Sequence, residues 1–360
     1  MEAYAPTHLL LQWHVTERCN LRCSHCYQDS YARNELSFEQ LLGILEQYKS
    51  ILDTFSQRLN RPVRGHINIT GGEPFARQDF VDLLEVFAQH RQLFSFAILS
   101  NATFIDRTIA KQLQQLKPRY VQISIEGTEQ THDAIRGEDN FKQTLAGLAQ
   151  LRKVGIYTVI SFTAHRRNYK EFPDVVKIAR QHKANRVWSD RLIPHGSGAN
   201  EFVLTPEETQ DFFQLMHDAQ QSAQKSWFNR TTEVATHRAL QFLISGGKPY
   251  HCTAGESFVT IQSNGDVLPC RRMPIVVGNI LDTPLLELYD KTHLFQQLRD
   301  PNLISEGCEG CFYQKICRGG LKCLSYALKG DPFQADPNCW KAKPTSKKTI
   351  KVIPIKGEPV

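Results

Sequence analysis

The chain has 360 residues, 41% of them hydrophobic and 22% charged, with a formal net charge of +6; this is the profile of a soluble globular protein with room for an α/β core and a second small domain. It has no apolar run of about 18 residues or more, and its N-terminus lacks the basic, apolar and small-residue succession of a signal peptide, which argues against a membrane partner and for the cytoplasm. The charge is local: residues 341–360 carry six lysines against Glu358 alone, so a basic flexible tail follows a nearly neutral body, not the spread basic groove of a nucleic-acid enzyme.

His8–Val15 alternates apolar and polar residues and reads as the first strand. Behind it lies Thr16-Glu-Arg-Cys-Asn-Leu-Arg-Cys-Ser-His-Cys-Tyr27, with the spacing Cys19-x3-Cys23-x2-Cys26. Three thiolates this close can wrap one face of a cubane cluster and leave the fourth iron open, whereas Fe–S clusters are normally held by four. A zinc knuckle with a distant fourth ligand fits the same three residues. In a reducing compartment, ten cysteines argue for metal ligation over disulfides.

Further strands are predicted at Gly65–Thr70, Ser95–Leu99, Tyr120–Ile125, Tyr157–Thr163 and Arg186–Arg191. They alternate with helical patterns at Ser37–Leu52, Gln78–His90, Asp106–Leu116, Phe141–Val154 and Tyr169–His182. Ser37 followed by Gln40 has the form of a capping box. Six strands alternating with helices imply an α/β fold, a parallel sheet curved into a partial (β/α)6 barrel with its chemistry in loops at the C-terminal strand ends.

The polar motifs fall in those loops. Gly71-Gly72-Glu73-Pro74 follows the second strand; its glycines let the backbone approach a ligand, and Glu73 adds a charged acceptor. Ser100-Asn101 ends the third strand, and Ser124 and Glu126 lie on Val121-Gln-Ile-Ser-Ile-Glu-Gly127 at the end of the fourth. His132-Asp133-x-x-Arg136-Gly137 comes next, and Arg191-Leu192 opens the loop to Gly198 after the sixth. Thr205 to Glu208 starts a linker helix that fades near Gly246-Gly247. The rest reads Cys252-x12-Gly265-x4-Cys270, then Cys308-x2-Cys311-x5-Cys317-x5-Cys323, then Cys339. So loop-rich a stretch builds little hydrophobic core and calls for metal clusters as staples. The expected division is a barrel at 1–200, linker helices at 201–249, a cysteine-rich domain at 250–340 and the tail at 341–360.

The Cys19/Cys23/Cys26 loop, with Gly71-Gly72-Glu73-Pro74 and the strand-end motifs, resembles the radical S-adenosylmethionine (radical SAM) superfamily. The resemblance implies a [4Fe–4S] cluster on the three cysteines whose open iron binds the amino and carboxylate groups of SAM. It places Gly71, Gly72 and Glu73 at the methionine amino group, and Ser100, Asn101 and Ser124 near the ribose. Arg136 falls at the carboxylate and Leu192 in the loop over adenine. His25 takes the aromatic position before the third cysteine, packing on adenine without proton chemistry. An electron from a reductase, flavodoxin or ferredoxin would cleave SAM to a 5′-deoxyadenosyl radical that abstracts hydrogen from substrate.

The C-terminal cysteines resemble the SPASM domain, which holds two auxiliary [4Fe–4S] clusters, making three in all. Carried over by position, Cys252, Cys270 and Cys323 hold the first auxiliary cluster, and Cys308, Cys311, Cys317 and Cys339 the second. Five residues separate Cys317 from Cys323 where relatives have three, a local insertion. No cysteine stands between Cys252 and Cys270, so the first auxiliary cluster is either open or closed by a side chain such as His251 or Glu256.

The implied activity is that of a maturase installing a crosslink, heterocycle or epimerised centre in a ribosomally made precursor peptide. An anaerobic sulfatase-maturating enzyme is the alternative. Relatives of that type place an Asp base after the second SPASM cysteine, where this chain has Arg271-Arg272, and arginine is no base at neutral pH. A non-catalytic electron carrier would explain the cysteines but not the glycine loop or Arg136. Only seven residues precede the first strand. A leader-recognition domain is therefore not expected, and leader binding falls to a separate leader-binding protein, the SPASM surface or the linker helix.

Overall fold

The computed structural model describes residues 4–28, 30–31, 35–198, 200–225 and 232–344; the basic tail from residue 345 lies outside the described residues. Six strands run in parallel: β1 (His8–His14), β2 (Arg64–Thr70), β3 (Phe94–Ser100), β4 (Val121–Ser124), β5 (Thr158–Ala164) and β6 (Arg186–Arg191). They pair in sequence order, so the sheet is wound by successive crossovers. The sheet extends at both edges, with β7 (Glu233–Ala235) parallel to β6 and β8 (Phe258–Ile261) parallel to β1. β9 (Asp266–Leu268) and β10 (Gly278–Asn279) add antiparallel. Among the described residues β7 and β10 are the two free edges, so the barrel stays open.

The helices between the strands are α1 (Phe38–Leu59), α2 (Phe80–Gln89), α3 (Arg107–Leu116), α4 (Glu129–Arg136), α5 (Asn140–Lys153) and α6 (Phe172–Gln181). In α1, Leu41, Ile44, Leu45, Tyr48, Ile51, Leu52 and Phe55 form one buried stripe at the helical period. The capping box is present: the Ser37 hydroxyl accepts from Gln40 N at 3.2 Å, and Ser37 N donates to Gln40 Oε1 at 2.9 Å. The helix runs about two turns past its expected end, to a left-handed cap at Asn60. α4 was not expected as a helix; it is short and mostly polar, and buries only His132 and Ile135.

Beyond the barrel come α7 (Pro206–Lys225) and α8 (Phe242–Ser245), with β7 between them, so the segment expected as linker helices also supplies a strand. The cysteine-rich region carries α9 (Leu285–Lys291), α10 (His293–Arg299), α11 (Gln314–Cys317) and α12 (Lys322–Lys329). β8 lies beside β1, which feeds the first cysteine loop, and this pairing sets the C-terminal region against the barrel mouth. Among the described residues no helix is long and apolar enough to cross a membrane.

Candidate functional site

β1 ends at His14, and the loop behind it carries Cys19, Cys23 and Cys26. A turn brings Cys26 N to Cys23 O at 3.1 Å, and Ser24 N donates to Ile135 O of α4 at 3.0 Å. Main-chain N–H groups face the sulfurs: Leu21 N donates to Cys19 Sγ and Gln28 N to Cys26 Sγ, each at 3.4 Å. Arg136 Nη1 lies 3.9 Å from Cys23 Sγ. Burial pushes the Cys19 thiol up to about 11 and raises Cys23 as well. Partly buried thiols ringed by N–H donors suit a site whose metal supplies the balancing positive charge.

The glycine loop fits against this cysteine loop. Gly72 N donates to Thr16 O at 2.9 Å and Glu73 N to Arg18 O at 2.8 Å. A Cβ on Gly71 would collide with the Thr16 carbonyl oxygen, and one on Gly72 with that of Arg18. These glycines therefore serve a backbone-to-backbone approach. Glu73 is fully buried, accepting from Ser100 Oγ at 2.9 Å, Asn101 N at 2.7 Å and Phe75 N at 3.3 Å. Burial raises its carboxyl to about 7 against the pull of those donors. Ser100, expected near the ribose, thus also braces Glu73, and Asn101 Nδ2 donates to Asn20 Oδ1 at 2.9 Å.

One strand further on, Glu126 gathers the site. Its Oε1 accepts from Arg136 Nη2 at 2.6 Å and Nε at 3.2 Å, with His25 Nε2 at 3.5 Å; its Oε2 accepts from Thr163 N at 2.9 Å. Burial opposes ionisation, but Arg136 and then His25 hold the Glu126 carboxyl well below the usual carboxylate range. Arg136, expected at the methionine carboxylate, has this buried acid as its protein partner. His25 sits 6.1 Å from the His165 ring, and among the described residues its buried Nδ1 has no hydrogen-bond partner. Such an orphaned atom beside three thiols fits a site built for a further polar group. Ser124 ends β4 opposite Ser161. Leu192 is buried, its N donating to Ala164 O at 2.8 Å, and the loop behind it returns to the cysteines through Ser197 N to Cys26 O at 2.8 Å.

The other seven cysteines form two groups, and all ten thiols are free of disulfides. Burial pushes the Cys323 thiol up, and the neighbouring Cys270 and Cys252 add to the rise. Burial likewise raises Cys308 to about 12, with Cys317, Cys339 and Cys311 contributing. These last four line one cavity with Leu240, Phe242 and Tyr313. Among the described residues no three His, Cys, Asp or Glu side chains converge on a single ion. Between Cys317 and Cys323 the chain makes a left-handed turn, Arg318-Gly319-Gly320 with φ of 56°, 95° and 75°.

His251 and Glu256, considered as closing ligands, face each other at 3.3 Å, and Arg318 Nη1 lies 3.4 Å from Glu256. Arg272, after Cys270, donates to Asp190 Oδ2 at 3.0 Å. Sequence reasoning left Asp190, Arg238, His165 and Asp336 unassigned; the strand-end positions of Asp190 on β6 and His165 behind β5 were the available signal.

Residues 13–179 match the family model described as the Radical SAM superfamily, and residues 252–312 match SPASM, described as an iron-sulfur cluster-binding domain. The chain is 25% identical to the AdoMet-dependent heme synthase of Methanosarcina barkeri over 347 residues, 92% of this chain and 95% of that protein. It is 28% identical to the mycofactocin maturase MftC of Mycolicibacterium smegmatis over 367 residues, covering 96% and 87% of the two chains. The fold superposes on SuiB from Streptococcus suis, solved with S-adenosylmethionine, with a TM-score of 0.73 at 19% identity, over 92% of this chain and 77% of that one.

Proposed function

Because the chain belongs to the radical SAM superfamily and carries a SPASM domain, we propose that it modifies a ribosomally synthesised peptide, installing a crosslink, heterocycle or epimerised centre. When bound, the cluster and SAM supply reductive cleavage to a 5′-deoxyadenosyl radical that takes a hydrogen atom from substrate. Cys19, Cys23 and Cys26 would hold that cluster. Gly71, Gly72, Glu73, Ser100, Asn101, Ser124, Arg136, His25 and Leu192 would orient SAM and exclude water. Cys252, Cys270 and Cys323 would hold one auxiliary cluster, and Cys308, Cys311, Cys317 and Cys339 the other. A reductase, flavodoxin or ferredoxin would supply the electron.

The observation that carries this reading is the pairing of β8 with β1, which sets the Cys252 group against the strand that feeds the Cys19 loop. Likeness to the mycofactocin maturase supports a peptide. Likeness to the heme synthase favours a second reading, a porphyrin substrate. Anaerobically reconstituted protein should bind about twelve irons, at four per cubane cluster, and release 5′-deoxyadenosine with a strong reductant. A Cys19/Cys23/Cys26→Ala triple variant should keep about eight and release none. Incubation with a precursor peptide encoded beside the gene, followed by mass spectrometry, tests the substrate. About four irons in the parent protein, or an unmodified peptide with a modified porphyrin, overturns the reading.

A further inference from the structure

At the mouth of the barrel two arginines share one carboxylate. Asp190, next to the last residue of β6, is buried, and its Oδ2 accepts from Arg238 Nε at 3.1 Å, Arg238 Nη2 at 2.9 Å and Arg272 Nη2 at 3.0 Å. Its Oδ1 accepts from the Arg191 main chain at 3.0 Å. Two cations thus meet one anion, and one positive charge is left over. Among the described residues, Arg238 Nη1 and Arg272 Nε and Nη1 have no hydrogen-bond partner, and the two side chains keep 27% and 25% of their surface open to solvent.

The arrangement is preformed. The Arg238 guanidinium lies between Trp188 and Tyr250, 5.1 and 5.2 Å from the ring centres, which fixes its plane. Arg272 follows Cys270 and lies in the field of Cys270 and Cys323. On the other side, Ser124, Ser161 and Trp188 are register partners across β4, β5 and β6. Two strand spacings, about 10 Å, therefore separate the Ser124 strand from the Trp188 strand. Tyr27, the neighbour of Cys26, lies in the field of both Cys270 and Arg272, so the arginine pair is close to both cysteine groups.

We infer that Arg238 and Arg272 form a carboxylate-binding site that anchors an acidic substrate across the gap between the two cysteine groups. A guanidinium fork matches a carboxylate in two parallel hydrogen bonds, and the surplus charge is satisfied by one such group. The site deepens the peptide reading above and rests on it for the source of the carboxylate, a chain terminus or an acidic side chain. The propionate of a porphyrin carries the same chemistry.

The test is fluorescence titration of the anaerobic holoenzyme with two probe pairs. One pair is a dansyl-labelled hexapeptide with a free C-terminal carboxylate and its C-terminal amide. The other is mesoporphyrin IX and its dimethyl ester. The parent should bind the free-acid peptide at least about tenfold more tightly than the amide, a single charge-assisted contact being enough for that ratio. Arg238→Gln and Arg272→Gln should erase the difference at unchanged iron content. Arg238→Lys and Arg272→Lys keep the charge but lose the fork, and should lower the ratio; they are the variants read if glutamine costs iron. Discrimination of the porphyrin pair alone keeps the arginine site and overturns the peptide reading. Equal binding within both pairs by the parent overturns the site. So does a preference that survives every substitution, including one that survives while the auxiliary-cluster potential shifts, since the arginines would then be counter-charges to the cluster.

Discussion

Arg191 at the end of β6 and Asp336, three residues before Cys339, form a two-pronged ion pair at 3.0 and 2.7 Å with neither side chain more than 1% exposed. Asp336 also accepts from Leu321 N and Asn338 N, and Asn338 Oδ1 takes a further bond from Arg191 at 3.1 Å. One buried carboxylate thus joins the barrel strand, the turn before α12 and the last cysteine loop.

Asp336→Ala should therefore cost about 3–5 kcal/mol, because removing one partner leaves the other charged and buried. Urea unfolding of the anaerobic holoenzyme measures this. A loss under about 1 kcal/mol, the value of an exposed pair, would show that the C-terminal region docks without it.

Gly71→Ala and Gly72→Ala should each strip the Cys19/Cys23/Cys26 site while sparing the other two groups, since each Cβ meets a main-chain carbonyl that cannot move aside. Iron content should fall by about four per chain, with the melting temperature of the C-terminal region unchanged. Full iron occupancy in both variants would mean that the two loops can separate.

Much of this was legible in the sequence, and the rest failed for physical reasons. Period-2 and helical patterns located all six barrel strands and five of their helices to within a few residues, α1 excepted at its C-terminal end. α4 was missed because eight residues with only Ala134 and Ile135 apolar are too short a run to set a period. β7 to β10 are two to four residues long, too short to carry a period. The glycine loop was located, but its role against Thr16 and Arg18 was not, because contacts of that kind are invisible to spacing. The same holds for Asp190 with Arg238 and Arg272: each is an ordinary charge in sequence, and only the sheet order brings them together.

Glu73 makes the site sensitive to pH. Its carboxyl is raised by burial from the ordinary 4.5 to about 7, so the native state holds the proton more tightly than the unfolded chain. The stability it contributes is complete below 4.5 and is lost as pH rises through 7. A cationic amino group placed beside it would favour the ionised form, so SAM binding should release a proton below pH 7. Affinity should then rise with pH, by up to about tenfold per unit, and level off above 7. Glu73→Gln should flatten the profile. Calorimetry in buffers of different ionisation enthalpy reads the proton directly, and none released by the parent would remove Glu73 from the SAM contacts.

Glu126 has the opposite sign. Its carboxyl lies below the usual range despite burial, chiefly through Arg136, so its contribution is present above about 4.5 and is lost as pH falls. Arg136→Ala should cost about 3–5 kcal/mol at pH 7 by stranding that charge, and the difference from the parent should shrink on acidification. A variant gap that stays constant from pH 7 to pH 4 would show that Arg136 acts through packing alone.

The last expectation concerns the Cys252/Cys270/Cys323 group, which has three cysteines where a closed cluster takes four. His251 and Glu256, the side chains at hand, are engaged with each other at 3.3 Å, and Arg318 lies 3.4 Å from the same carboxylate. Recruiting either as a ligand would break that contact. An iron left open here would suit a soft sulfur ligand. In the Cys19/Cys23/Cys26→Ala triple variant, where the first site cannot contribute, a small thiol should shift the paramagnetic resonance of this cluster. The cluster on Cys308, Cys311, Cys317 and Cys339 has its full set of four and should keep its signal. His251→Ala and Glu256→Gln should leave the thiol response intact. A spectrum insensitive to thiol in the triple variant, but responsive once His251 or Glu256 is replaced, would identify that residue as the fourth ligand and restrict the cluster to electron transfer and stapling.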